Sequence, residues 1–168
     1  QGLREGAAPA RGGGTADGGA PAVAGYRDLV PIGSGGFSRV YRAYQEAYDR
    51  TVAVKVLTVG LDDELSERFV RECALTGRLT GHPHVVTILD SGTTGDGRPF
   101  ITTDYYARGS LTQVVRSQGP LGVGPALAIG VKIAGALETA HRCGIHHRDV
   151  KPQNILLSAF GEPALGDF

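Results

Sequence analysis

The chain has 168 residues and equal numbers of basic and acidic side chains, 17 of each, so its formal net charge is zero. That length supports one domain with its own core, and the balanced charge excludes an electrostatic drive toward nucleic acid or a membrane surface. Two cysteines, Cys73 and Cys143, make no disulfide framework and fit a reducing, cytoplasmic setting; no run approaches the roughly twenty apolar residues of a membrane span, so no membrane contact is expected.

Residues 1–24 are mostly Gly, Ala, Pro and small polar residues without a hydrophobic period. Such a segment buries too little apolar surface to offset its ordering entropy and reads as a disordered lead. From Gly25 the pattern changes. Residues 26–32 read as a strand, Gly33-Ser34-Gly35-Gly36-Phe37 as a turn, and residues 38–44 as a second strand by their alternation and β-formers. A dinucleotide fingerprint would need its glycines to open a helix, and no P-loop pattern occurs anywhere. Gly33, Gly35 and Gly36 leave backbone amides bare, so phosphate oxygens could approach them.

Residues 51–57 form a strand rich in β-branched residues with a single lysine, Lys55. Burying it is costly unless it is paired; a solvent-facing lysine on an amphipathic strand is the other reading. Residues 61–79 carry a helical period, with Leu65, Phe69, Cys73, Thr76 and Leu79 on one face. Asp62, Asp63 and Glu64 suit its N-terminus. His82 and His84 are close in sequence, but no further ligand set lies near them, so a structural turn is preferred to a metal site. Residues 87–91 and 100–105 read as strands flanking a Gly-rich hairpin at 92–97. Ser110 can cap a short helix over 111–117. Residues 124–142 form a long helix apolar over most of its girth. Leu127, Val131, Ala134, Leu137 and His141 share one face, while Ile129, Ile133, Ala136 and Ala140 broaden it, so it reads as a core helix. Gly144 is placed as its left-handed cap.

The densest chemistry lies in residues 146–157, where Asp149, Lys151 and Asn154 fall within six positions. Pro152 disfavours helix for the residue before it, and the apolar run Ile155-Leu156-Leu157 reads as a buried strand. A carboxylate, an ammonium and a carboxamide are thus held on a loop anchored in the core, as a catalytic base and a metal ligand would be. Composition sharpens this: there are fourteen arginines but only three lysines, Lys55, Lys132 and Lys151, and Asn154 is the one asparagine. Lysine fits where a compact point charge is needed, and the Asn oxygen where a hard cation sits.

The run His147-Arg148-Asp149-Val150-Lys151-Pro152-Gln153-Asn154 resembles the catalytic loop of eukaryotic-type protein kinases throughout, and Lys151 resembles the serine/threonine branch. The likeness extends over residues 25–168 in six ordered motifs, and the composition resembles the Hanks-type kinases of high-GC bacteria. It implies an α+β, protein-kinase-like fold: a β-rich N-lobe with one C-helix at 25–103, a hinge at 104–110, and the beginning of a helical C-lobe at 111–168.

The same resemblance assigns roles. Lys55 would grip ATP phosphates, braced by Glu72, with Glu64 and Glu67 as competing partners. Asp149 would be the catalytic base and Lys151 would neutralise the transferred phosphoryl group. Asn154 and Asp167 would hold Mg²⁺. Ile32, Gly33, Ser34, Gly35, Gly36, Phe37 and Ser38 would cover the nucleotide, with Val40 and Ala53 roofing the adenine and Leu156 below it. Thr103 would be the gatekeeper, and the backbones of Asp104 and Tyr106 would meet the adenine edge. His147 would pack under the loop, and Arg148 resembles an arginine that pairs with an activation-loop phosphate. Asp167-Phe168 resembles a truncated Asp-Phe-Gly, so the fragment is expected to be inactive alone and the parent to carry an activation loop and further regulatory domains. The expected activity is ATP-dependent phosphorylation of Ser/Thr hydroxyls on proteins. A pseudokinase or ATP-sensing module is the alternative, weighed against by the full catalytic set, and Lys151-Pro152 argues against a small-molecule phosphotransferase.

Overall fold

The computed structural model describes residues 20–58, 73–74 and 76–168. The predicted helix over 61–79 falls mostly outside these residues, and Glu64, Glu67 and Glu72 fall outside with it.

Five strands form one antiparallel sheet: β1 (Tyr26–Ser34), β2 (Ser38–Gln45), β3 (Arg50–Leu57), β4 (Ile88–Thr93) and β5 (Pro99–Asp104), in the order β1-β2-β3-β5-β4. β1 is an edge strand, which is why it tolerates Pro31 and two breaks in register, after Arg27 and after Pro31. It runs two residues past its predicted end, so Gly33 and Ser34 lie in the strand and only residues 35–37 turn the chain.

Side chains in β3 alternate. Val52, Val54 and Val56 are completely buried and join Tyr41, Ala43 and Phe100 in one cluster. Burying each such side chain is worth about 2 kcal/mol relative to leaving it exposed. Register puts the intervening residues on the opposite face: Val40 pairs with Lys55, Ala53 with Thr103, and Lys55 with Ile101. The β3 lysine therefore belongs to a half-covered face.

The disordered lead predicted for residues 1–24 needs correction at its C-terminal end. Val23 is 5% exposed within the sheet's apolar cluster, and the Ala22 carbonyl accepts a bond from the Gly95 N–H. Pro21 and Val23 are two apolar residues that a compositional reading averages away among Gly and Ala.

The second part holds α1 (Leu111–Gln118), α2 (Val123–Arg142), a 3-10 turn at Pro152–Asn154, and the hairpin β6 (Ile155–Leu157) and β7 (Pro163–Leu165). Ser110 caps α1 through a reciprocal box: its hydroxyl accepts from the Gln113 N–H and its own N–H donates to the Gln113 side chain. α2 ends in a Schellman arrangement. Gly144 sits at φ 72, its N–H bonds the His141 carbonyl, and the Ile145 N–H reaches back to Ala140.

Two expectations for this part do not hold. α2 buries only Ile133, Ala136 and Ala140. Those side chains meet Leu79, Val85, Ile145, Ile155 and Leu165, while Val123, Leu127 and Val131 are 77%, 64% and 72% exposed. The predicted stripe containing Ile133 is the buried one, while the other meets the core at Leu137 and leaves Leu127 and Val131 exposed. α2 is also long and apolar enough, by length and composition, to cross a membrane; its many Gly and Ala residues hid this from a search for runs of large apolar side chains. The residues leading to Asp167 form the strand β7, with Pro163, Ala164 and Leu165 all buried.

Candidate active site

The two parts meet where β7 ends. Segment 82–86 pairs with it: the Leu165 N–H donates to His84, the Val86 N–H to Leu165, and the His84 ring to the Pro163 carbonyl. The hinge is fastened to β6, because Arg108 N–H bonds Leu157 and Leu157 N–H bonds Gly109. Ser110 bridges to Leu156. Leu156 is thereby set beside the hinge.

Asn154 and Asp167 lie at the open end of the β6–β7 hairpin. Asn154 precedes β6, Asp167 follows β7, and the Gly166 N–H to Asn154 carbonyl bond joins the two flanks at 2.9 Å. Across the gap from the sheet, Lys55 Nζ lies 2.5 Å from Asp167 Oδ1. A β3 residue and a residue from the distant hairpin therefore meet directly. The predicted partner, Glu72, and its competitors Glu64 and Glu67 lie outside the described residues.

The catalytic loop is built around Asp149. Its Oδ2 takes a 2.6 Å contact from Lys151 Nζ and a 3.2 Å bond from Asn154 Nδ2. The Lys151 ammonium holds the Asp149 carboxyl below its ordinary value against the opposing effect of desolvation, and Asn154 adds a smaller lowering. Asn154 Nδ2 also donates to the Asp149 carbonyl at 2.9 Å. That spends the amide donors and leaves Oδ1 accepting no hydrogen bond among the described residues. Pro152 at the first position of the 3-10 turn, closed by the Asn154 N–H to Lys151 carbonyl bond, turns Asn154 back toward Asp149.

His147 is the buried post of the loop, 6% exposed. Its Nδ1 accepts the Asp149 N–H at 3.2 Å, which places the ring proton on Nε2, and Nε2 donates to the Gly166 carbonyl at 2.7 Å. The ring meets Phe168 edge-on at 4.7 Å. One imidazole thus couples the segment bearing Asp149 to the one bearing Asp167. Sequence reading had His147 as packing and missed both hydrogen bonds, which no local pattern announces. Arg148 and Asp167 adopt φ 63 and 61, a left-handed conformation costly for side-chain-bearing residues and concentrated at functional sites.

The Gly-rich turn lies beside the end of β3. Gly35 N–H bonds the Ser38 carbonyl at 2.8 Å, and Thr58 N–H bonds Phe37, tying the tip to the end of β3. Gly33, Gly35 and Gly36 all keep φ values open to other residues, and a Cβ built on Gly36 meets nothing within 4 Å. These glycines keep room above the turn. Ser38 is buried, while Ile32 and Phe37 are exposed at the lip. In the hinge, Thr103 Oγ1 donates to the Asp104 carbonyl, and the Tyr106 N–H has no partner among the described residues. Burial, helped by Asp104, pushes the Tyr106 phenol up to about 12. The Ser110 hydroxyl is occupied by its helix cap.

A free N–H at the hinge, empty room over glycines, one ammonium facing that room and oxygen donors from Asn154 and Asp167 together fit a nucleotide triphosphate and a hard cation. The chain belongs to the protein kinase family: residues 26–168 match the protein kinase domain. Serine/threonine-protein kinase PknK of Mycobacterium tuberculosis is 55% identical over 145 residues, covering 86% of this chain and 13% of PknK. Probable serine/threonine-protein kinase CPE1738 of Clostridium perfringens is 40% identical over 145 residues, covering 85% of this chain and 21% of its own length. The crystal structure of the M. tuberculosis PknI kinase domain superposes with a TM-score of 0.72 at 36% identity, covering 88% of this chain and 59% of that one. The chain therefore spans a small fraction of the curated relatives it matches and just under three fifths of a solved kinase domain.

Proposed function

We propose that the protein to which this chain belongs transfers the γ-phosphoryl group of ATP to Ser/Thr hydroxyls of protein substrates. The observation that carries the reading is the convergence of Lys55 with Asp167 beside the Asp149–Lys151–Asn154 cluster. Asn154 and Asp167 would hold Mg²⁺ through their oxygens, and the cation would supply neutralisation of phosphate charge. Lys55 fixes the phosphate tail, and the Tyr106 N–H and Asp104 carbonyl hold the adenine edge. Asp149 accepts a hydrogen bond from the substrate hydroxyl. As that oxygen bonds to the γ-phosphorus and the bond to the β-phosphate oxygen breaks, Asp149 takes the proton and ADP leaves. Lys151 balances charge on the moving group. A carboxyl held low by Lys151 is a weak base, which suits late proton transfer.

The same reading places the protein in the cytoplasm, where ATP is at hand and thiols such as Cys73 and Cys143 stay reduced. The test is transfer of radiolabel from γ-labelled ATP to a Ser/Thr-containing protein by the full-length protein and its Asp149→Ala variant. Transfer by the parent, lost in the variant while nucleotide binding persists, supports the reading. Undiminished transfer by Asp149→Ala refutes the role of Asp149.

A further inference from the structure

Lys55 makes its ion pair with the carboxylate that would take the divalent cation. Nζ to Oδ1 is 2.5 Å, and the two side chains are 30% and 56% exposed. A hard cation on Asp167 would share that carboxylate with the ammonium at a separation of a few ångströms, where like charges repel even in a water-like medium. At Asn154, the other oxygen donor, no ammonium is bonded to the amide oxygen, which accepts nothing among the described residues. The asymmetry singles out Asp167 as the position where entry of metal is opposed. The pair is open to solvent, so a stronger anion can draw the lysine away from it.

We propose that Lys55 is a resident counter-cation on Asp167, and that a divalent cation gains this carboxylate only once nucleotide phosphate has taken the ammonium. The inference rests on the nucleotide reading above and adds an order to it. Nucleotide and metal are coupled through one side chain. Linkage then requires each to raise the other's affinity by the same factor, and free metal alone binds poorly. Lys55 thus lowers metal affinity in the empty protein, and nucleotide relieves that loss by taking up the ammonium, so removing Lys55 removes the coupling.

The test measures Mn²⁺, an oxygen-seeking probe, binding to the intact chain without nucleotide, from the electron paramagnetic resonance signal of free Mn²⁺. Lys55→Met is expected to bind Mn²⁺ roughly fivefold tighter than the parent, and the gain is expected to vanish in Lys55→Met/Asp167→Asn. Equal or weaker binding by Lys55→Met overturns the proposal. A second measurement needs no variant. With three lysines in the chain, the nitrogen resonances of their ammonium groups can be told apart. Lys55 is expected to hold its position when Mg²⁺ is added alone and to move with a non-hydrolysable ATP analogue. Displacement of the Lys55 signal by Mg²⁺ alone, at the concentration that suffices with the analogue, also overturns it. Binding of a fluorescent ATP analogue to the parent chain is scored separately. Its absence removes the kinase reading while the Mn²⁺ comparison still decides the lysine's role.

Discussion

Lys55 and Asp167 are 112 residues apart in sequence and 2.5 Å apart in space. The contact spans the two halves of the fold, from the centre of the five-stranded sheet to the second residue after β7. It is reached because segment 82–86 is bonded to β7 and the hinge to β6. Lys55 could not arrive there if β3 were shifted by one residue, since that would turn it into the cluster holding Val54 and Val56.

Asp149 titrates below its ordinary 3.8 because of Lys151. For a carboxyl lowered on folding, the stabilisation is present above the unfolded value and is lost as pH falls through the lower folded one. Asp149 is therefore the ionised base throughout the neutral and mildly acidic range. Lys151→Ala is expected to move the acid limb of kcat/KM upward in pH, independently of any fall in its plateau. A pH–rate profile of the two proteins checks this, and an unmoved acid limb contradicts the pairing.

His147 fixes Asp149 and Gly166 together through both ring nitrogens. His147→Ala should leave the Gly166 carbonyl unpaired beside a cavity and cost about 3 kcal/mol. In protein that remains folded, kcat should fall more than KM for ATP rises, because the lost bonds position the base and the metal ligand rather than the adenine. Urea denaturation with steady-state kinetics reads both.

Leu165 is completely buried between α2 and the hairpin. Leu165→Ala should destabilise the chain by about 3 kcal/mol, visible as a lowered denaturation midpoint. The equivalent truncation at Leu127, which is 64% exposed in the described chain, should change it by less than about 0.5 kcal/mol.

Ala53 shares the cleft-side face with Lys55 and Thr103. Ala53→Phe would fill the space under the sheet and should weaken ATP-analogue binding by roughly tenfold or more, with little change in thermal midpoint because the added ring faces the cleft rather than the core. Calorimetric titration and thermal unfolding separate the two effects.

The sheet was legible because alternation at Val52, Val54 and Val56 is a strong local signal, and the Schellman end of α2 because Gly144 follows the last helical turn. The residues of the loop from His147 to Asn154 were legible as a group because chemistry-bearing side chains rarely crowd into so short a span. What stayed hidden is non-local. Nothing in Pro163-Ala164-Leu165 announces a strand until Ile155-Leu156-Leu157 pairs with it. The exposed stripe on α2 and its buried one have similar compositions, so only the partner elements distinguish them. The His147 bonds join backbone groups, which leave no mark on residue identity. Glu72 was placed by resemblance alone and lies outside the described residues.

The central claim is that Lys55, Asn154 and Asp167 converge on one magnesium-bound triphosphate, and a crystal structure of the intact protein with Mg²⁺ and a non-hydrolysable ATP analogue tests it most directly. The account predicts a Mg²⁺ ion about 2.1 Å from oxygens of Asn154 and Asp167, with Lys55 moved from Asp167 onto the phosphates and the adenine against Tyr106. A nucleotide bound away from the sheet face of Ala53 and Lys55, or phosphates that neither the metal nor Lys55 touches, would contradict it.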